Sequence, residues 1–299
     1  MQLGTVSNWF FGFYLILIMN LIPSNPSNLK RRGRGLAQLI CIGLDLAWST
    51  RNPSGLATLR VQLGDPGRQN LIAHLVDSRV LQTDEEILDY IQAQAGRDPC
   101  LVAVDAPLRV PNLTGQRRAE AELNQVFRTY AAGAHPANRR LLAKNGQVRG
   151  EALVQALSSY GFREQASIEQ GKLTRQVTEV FPHSALVGLF GLSRTLKYKA
   201  RPRRSWPERQ QAWQLYQHHL RSLAAADPAL QGHEELLQVQ VGSLKGRRLK
   251  NYEDQVDALM CAYIALYGFR WGSERCRSFG NLQEGHIFTP LPPRTSGAD

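Results

Sequence analysis

An α/β protein built on a mixed sheet is what this sequence predicts, and three observations carry the prediction. Two apolar runs of strand-forming residues, Leu39–Ala47 and Cys100–Val104, each end at a carboxylate, Asp45 and Asp105. Between them, partly alternating segments separated by Gly/Pro turns lead into a helical repeat, the pattern of an antiparallel meander followed by a crossover. Near the C-terminal end, Ala258–Tyr267 carries no charge, so the helix containing it is buried nearly all round.

Taken in order, Leu39–Ala47 is strand one, and Asn52-Pro53-Ser54-Gly55 is a turn. Leu56–Leu63 is strand two, Gly64-Asp65-Pro66-Gly67 turns again, and Asn70–Leu81 is strand three. Thr83-Asp84-Glu85-Glu86 reads as a capping box, with Ile87, Leu88, Ile91 and Ala95 at helical spacing up to about Gly96. Cys100–Val104 fits a strand buried on both faces. From Leu108 to Gly150 the chain is polar, basic and rich in Gly and Pro, with a helix over Gln116–Tyr130, and reads as an insertion over the strand ends. Glu151–Gly161 is helical, Gln176–Phe181 is a fifth strand containing Glu179, and Trp206–Ala226 is an amphipathic helix with Trp213, Leu215, Tyr216, Leu220 and Leu223 on its apolar side. The last helix, Asn251–Phe269, carries Asp254 and Asp257 in its first turns, at a spacing that puts both on one face.

With 299 residues and 43% hydrophobic content, the chain can bury a full core. Lys+Arg 36 against Asp+Glu 25 gives a net charge of +11, and the excess persists when the cluster Lys30, Arg31, Arg32, Arg34 is set aside. A basic body points to a polyanionic partner, although positive charge can also serve solubility alone. Arg194–Arg204 is the densest basic segment, with Tyr198 interleaved; it suits phosphate contact, or simply a solvated loop. Cys41, Cys100, Cys261 and Cys276 form no C-x-x-C pair and read as reduced thiols of a cytoplasmic protein. No H-E-x-x-H, P-loop or G-x-G-x-x-G run is present.

Residues 1–35 read as an extension, disordered or from a non-native start, ahead of a domain over 36–290 and a flexible tail over 291–299. The apolar run Trp9–Ile22 is shorter than the roughly 20 residues a spanning helix needs, and its positive charges follow it. A membrane anchor and a cleaved signal are the alternatives for this run; the sequon Asn112-Leu113-Thr114 matters only if the protein is secreted.

An aspartate at each of two strand ends suggests a shared site, because ligands of such sheets collect beyond the carboxyl ends of the strands. Turn or helix capping is the plainer role for Asp105, and complementing the helix dipole the plainer one for Asp254. The whole order is that of a ribonuclease H-like fold. The motif Asp254-Gln-Val-Asp257-Ala-Leu resembles the final helix of Holliday-junction resolvases of the RuvC type. More closely, Gly43-Leu-Asp45-Leu-Ala, Val104-Asp105-Ala-Pro-Leu108, Glu179-Val-Phe-Pro-His183, Asp257-Ala-Leu and Glu284-Gly-His-Ile287 resemble a bacterial family of predicted nucleases with that fold, long carried as a domain of unknown function. The resemblance spans about Leu39 to Pro290; Thr114-Gly-Gln-Arg117 also fits, although the Cys that commonly follows it is absent and Glu120 supplies only the acid.

The resemblance implies metal-dependent hydrolysis of nucleic-acid phosphodiesters. Asp45, Asp105, Asp254 and Asp257 would hold two Mg²⁺ or Mn²⁺ ions about 4 Å apart, and Glu179 would be an outer ligand or position water. Lys197, Lys199, Arg201, Arg203, Arg204, Arg247 and Arg248 would hold the backbone of DNA or RNA. ATP enzymes of related fold need a repeat and glycine-rich loops that this chain lacks, so no nucleotide cofactor is expected. The other readings are an inactive nucleic-acid-binding module and a phosphotransfer enzyme or hydrolase acting on a small phosphorylated substrate.

Overall fold

A computed structural model describes residues 37–63 and 71–293. The expected N-terminal extension with Trp9–Ile22, the turn Gly64–Gly67 and most of the tail lie outside the described residues. Nine strands and eight α-helices are found among those described: β1 (Ala37–Asp45), β2 (Ser54–Leu63), β3 (Ile72–Leu81), α1 (Asp84–Ala95), β4 (Cys100–Val104), α2 (Arg118–Phe127), α3 (Arg139–Leu142), α4 (Arg149–Ser158), β5 (Arg163–Glu164), β6 (Arg175–Glu179), α5 (Pro182–Phe190), α6 (Trp206–Ser222), β7 (Ala229–Gln231), α7 (Glu234–Leu237), α8 (Gly246–Trp271), β8 (Cys276–Asn281) and β9 (Gly285–Pro290).

Seven strands form one mixed sheet in the order β5-β6-β4-β1-β2-β3-β7. β1, β2 and β3 are the expected antiparallel meander, and β1 pairs in parallel with β4, which pairs in parallel with β6. This is an α/β sheet of the ribonuclease H-like type. Alternation along β1 explains the layers: Leu39 and Cys41 pack with α8, α5 and α6 on one face, while Ile40, Ile42 and Leu44 pack with α1 and α4 on the other.

Several expected boundaries shift. The fifth strand of the sequence reading is β6, because a two-residue edge strand, β5, precedes it. Ser54 and Gly55 belong to β2 rather than to the preceding turn, and α6 stops at Ser222, where a single 3₁₀ turn takes over. Leu215 of α6 is exposed, unlike its neighbours Trp213 and Tyr216. The helix α5, begun by Pro182, and the β8–β9 hairpin, which packs on α2, were not foreseen. The cysteines are free and buried, and among the described residues no helix is long and apolar enough to cross a membrane.

Candidate functional site

The convergence of the acidic residues follows from strand periodicity and two glycines. Asp45 and Asp105 fall on the alternation that faces α8, and the register pairing Leu44 with Val104 brings them side by side, the Asp105 N–H donating to the Leu44 carbonyl at 2.8 Å. A β-carbon on Gly43 would lie 1.9 Å from the Ala258 carbonyl oxygen, and one on Gly55 would lie 1.9 Å from that of Asp254. With no side chains there, the backbone of α8 settles directly on β1 and β2. Asp254 and Asp257 therefore come down beside Asp45. Because α8 begins at Gly246, neither aspartate lies in its first turn. Dipole complementation, weighed above for Asp254, is thereby removed.

Crowding sets the electrostatics. Burial pushes the Asp45 carboxyl well above the usual carboxylate range; Lys199 opposes this, and Asp257, Asp105 and Asp254 add to it. Asp105 is pushed up to about 6 by burial, again against Lys199, and burial raises Asp254 against Lys250. Both Asp45 and Asp105 nevertheless keep an accessible edge. Asp257 is fully enclosed: Tyr198 donates to its Oδ1 at 2.6 Å, and Lys199 Nζ stands 2.6 Å from its Oδ2. That ammonium supplies Oδ2 with charge compensation. Lys250 Nζ reaches Asp254 Oδ1 and, at 3.0 Å, Glu253 Oε1; Asp254 Oδ2 takes no hydrogen bond from an N–H or hydroxyl donor, and the Asp254 carboxyl lies within hydrogen-bonding reach of Asp45.

These groups open onto a cleft of about 420 Å³ lined by Asp45, Asp105, Asp254, Lys199, Lys250 and Arg201 among others. Its lining also holds an ionic cluster that sequence reasoning missed. The buried Arg117 guanidinium donates to Glu179 at 2.9 and 2.5 Å and through Nε to Glu120 at 2.7 Å, so one cation serves two carboxylates. Burial pushes Glu179 up to about 7, with Arg117 pulling it down; a further hydrogen bond comes from the Leu108 N–H at 2.9 Å. Glu179 is thus committed to Arg117 rather than being a free outer ligand. The only signal for Arg117 and Glu120 was the Thr114–Arg117 match, which carries no information about partners.

The basic residues separate into two groups. Lys199 pairs with Asp257 while still lining the cleft, and half-buried Arg204 donates to the Lys199 carbonyl at 3.2 Å. Lys197, Arg201, Arg203, Arg247 and Arg248 are exposed. The loop carrying the first three meets the start of α8 at a second depression lined by Lys199, Arg201, Arg209, Gly246 and Lys250.

Among the described residues, no three His, Cys, Asp or Glu side chains are grouped as a ready-made ion site. The donor set nonetheless suits a hard divalent cation. Asp45, Asp105 and Asp254 supply only carboxylate oxygens, and the buried Oδ2 of Asp254 lacks an N–H or hydroxyl donor. The Lys199 and Lys250 ammonium groups carry the compensating charge in the protein alone. No curated protein and no solved structure matches the chain. The sequence pattern of one family, described as "Protein of unknown function (DUF429)", matches residues 43–284, most of the chain, which therefore belongs to that family.

Proposed function

We propose that the protein is a divalent-metal-dependent nuclease that hydrolyses phosphodiester bonds of nucleic acid. The observation that carries this reading is the meeting of Asp45, Asp105 and Asp254, from β1, the end of β4 and α8, in a cleft edged by Lys250 and Arg201. Carboxylates so crowded repel phosphate and one another unless cations join them. Asp45 and Asp105 would hold Mg²⁺ or Mn²⁺ with Oδ2 of Asp254. Such an ion supplies activated water and neutralises the leaving oxygen. Asp257 anchors Lys199 in the lining of the cleft, and Lys250 and Arg201 draw the phosphate backbone to its edge.

The test is cleavage of labelled DNA and RNA strands with Mg²⁺, with Mn²⁺ and with EDTA. Cleavage is expected with metal and not with EDTA. Asp45→Asn should lower it more than about a hundredfold, beyond what loss of a mere outer-sphere partner costs, while the variant keeps its fold and its nucleic-acid binding. Equal cleavage in EDTA, or an active Asp45→Asn, would end the proposal. The confined size of the cleft favours a second reading, a small phosphorylated substrate, which becomes the better one if neither DNA nor RNA binds at low salt with metal present.

A further inference from the structure

Trp48 is the one exposed tryptophan among the described residues, with 66% of its surface accessible, and it stands in the wall of the acidic cleft just after Asp45. Standing in the lining of a charged cleft, this exposed indole offers a flat face on which an aromatic ligand can stack. The residue before Trp48, Ala47, has its backbone held in place. The Ala47 N–H donates to Ser54 Oγ at 3.1 Å, and the Ala47 carbonyl accepts from Arg149 Nη1 at 2.7 Å. Arg149 is itself tied to Asp84 by Nε at 2.8 Å. The indole is therefore presented from a fixed anchor, so a partner stacking on it would lose little to loop ordering.

The rest of the cleft indicates that partner. Ala106, Pro107, Pro136 and Ala137 add apolar lining, while Arg201 and Lys250 bring positive charge. Arg201 also approaches His135 Nε2 at 3.4 Å. A cleft whose lining combines apolar side chains, a free indole, cations and carboxylates matches one nucleotide unit, with the base on the ring and the phosphate near the cations. The volume of about 420 Å³ lies within the range of about 300–1,000 Å³ of pockets that hold one small ligand. Stacking on Trp48 requires a free base face, which a base inside a duplex does not have.

Resting on the nuclease reading, we infer that the substrate is single-stranded nucleic acid, one unpaired nucleotide of which enters the cleft and stacks on Trp48. The same chemistry could come from a free mononucleotide, so the experiment has arms for both. Fluorescence anisotropy would be measured with Ca²⁺ in place of Mg²⁺, on labelled oligo-dT and oligo-rU strands. A blunt duplex and an unlabelled mononucleotide competitor would be run beside them. The wild type should bind single strands at least about tenfold tighter than duplex, with the mononucleotide competing only weakly. Trp48→Ala should weaken single-strand binding by about 5- to 100-fold, the worth of one stacked base, and leave duplex binding and thermal stability unchanged. Trp48→Phe should restore most of the affinity. Equal binding of duplex and single strand, both indifferent to Trp48→Ala, overturns the inference and leaves the nuclease reading standing. A mononucleotide that competes as well as the strands overturns it in favour of a free-nucleotide site. Absence of all binding removes both readings.

Discussion

His286 is fully enclosed, and its ring is held from one side only. Nε2 accepts the Glu179 N–H at 3.2 Å and lies 3.3 Å from Thr178 Oγ1, so in the neutral ring the proton belongs on Nδ1. Nδ1 faces Glu164 Oε1 at 3.8 Å, beyond hydrogen-bond reach, and both atoms are without partners. Burial pushes the imidazole down to about 3, and the positive charges of Arg117 and Arg109 push the same way. The folded pKa is thus depressed below the unfolded value of about 6.5. Stability from this group is fully present above about 6.5 and is lost as pH falls toward about 3, because only the unfolded chain takes up the proton. Glu179, pushed up to about 7, works in the opposite direction, so wild-type stability alone would blur the effect. The difference between wild type and His286→Gln isolates it. The stability advantage of the wild type should shrink by up to about 1.4 kcal/mol for each pH unit below about 6.5, as measured by urea unfolding across that window. A difference that stays constant from neutrality to pH 4 would contradict the assignment of a neutral, proton-refusing ring.

The seating of α8 on β1 and β2 decides whether there is a site at all. Gly43→Ala would thrust a methyl to 1.9 Å from the Ala258 carbonyl oxygen and 2.3 Å from the Ala262 nitrogen. Backbone atoms in the middle of a buried helix cannot yield as a side-chain tip can, so the cost should exceed the roughly 1–3 kcal/mol usual for overpacking. Thermal unfolding should show a large loss, and a fully stable Gly43→Ala protein would refute this account of how Asp254 reaches Asp45. The carboxylates were legible in the sequence because each interrupts or ends an apolar run. The glycine in the Gly43–Ala47 motif was visible too, but not its contact. The continuous apolar run of β4 and the uncharged middle of α8 could be read directly, whereas β8 and β9, although longer than β4, show no such run. β5 and β7, of two and three residues, are too short to carry a period and exist only because a neighbouring strand offers hydrogen bonds. Pairings such as Lys199 with Asp257 and Arg117 with Glu179 join residues far apart in sequence, and nothing local to either residue announces the partner.

At the scale of the whole molecule, the net charge of +11 is not spread evenly in its consequences. Lys199 is paired with Asp257 and Arg117 with two glutamates, so the charge of each is already matched within the protein. Lys197, Arg201, Arg203, Arg247 and Arg248 remain exposed, and their two segments meet at the depression beside the acidic cleft. A strand lying there would release counterions in proportion to the phosphates it loses to these side chains. Affinity should then fall linearly on a log–log plot against salt, by about 0.7 for each phosphate neutralised on a single strand and about 0.9 on a duplex. Replacing those five residues with Ala should weaken binding and flatten the slope. Lys199→Ala should act differently, since it removes a cation from among carboxylates: stability should drop, with little change in slope. Titrations at several salt concentrations, paired with thermal unfolding of each variant, separate the two effects. An unchanged slope in the five-residue variant would mean that the polyanion lies elsewhere on the surface.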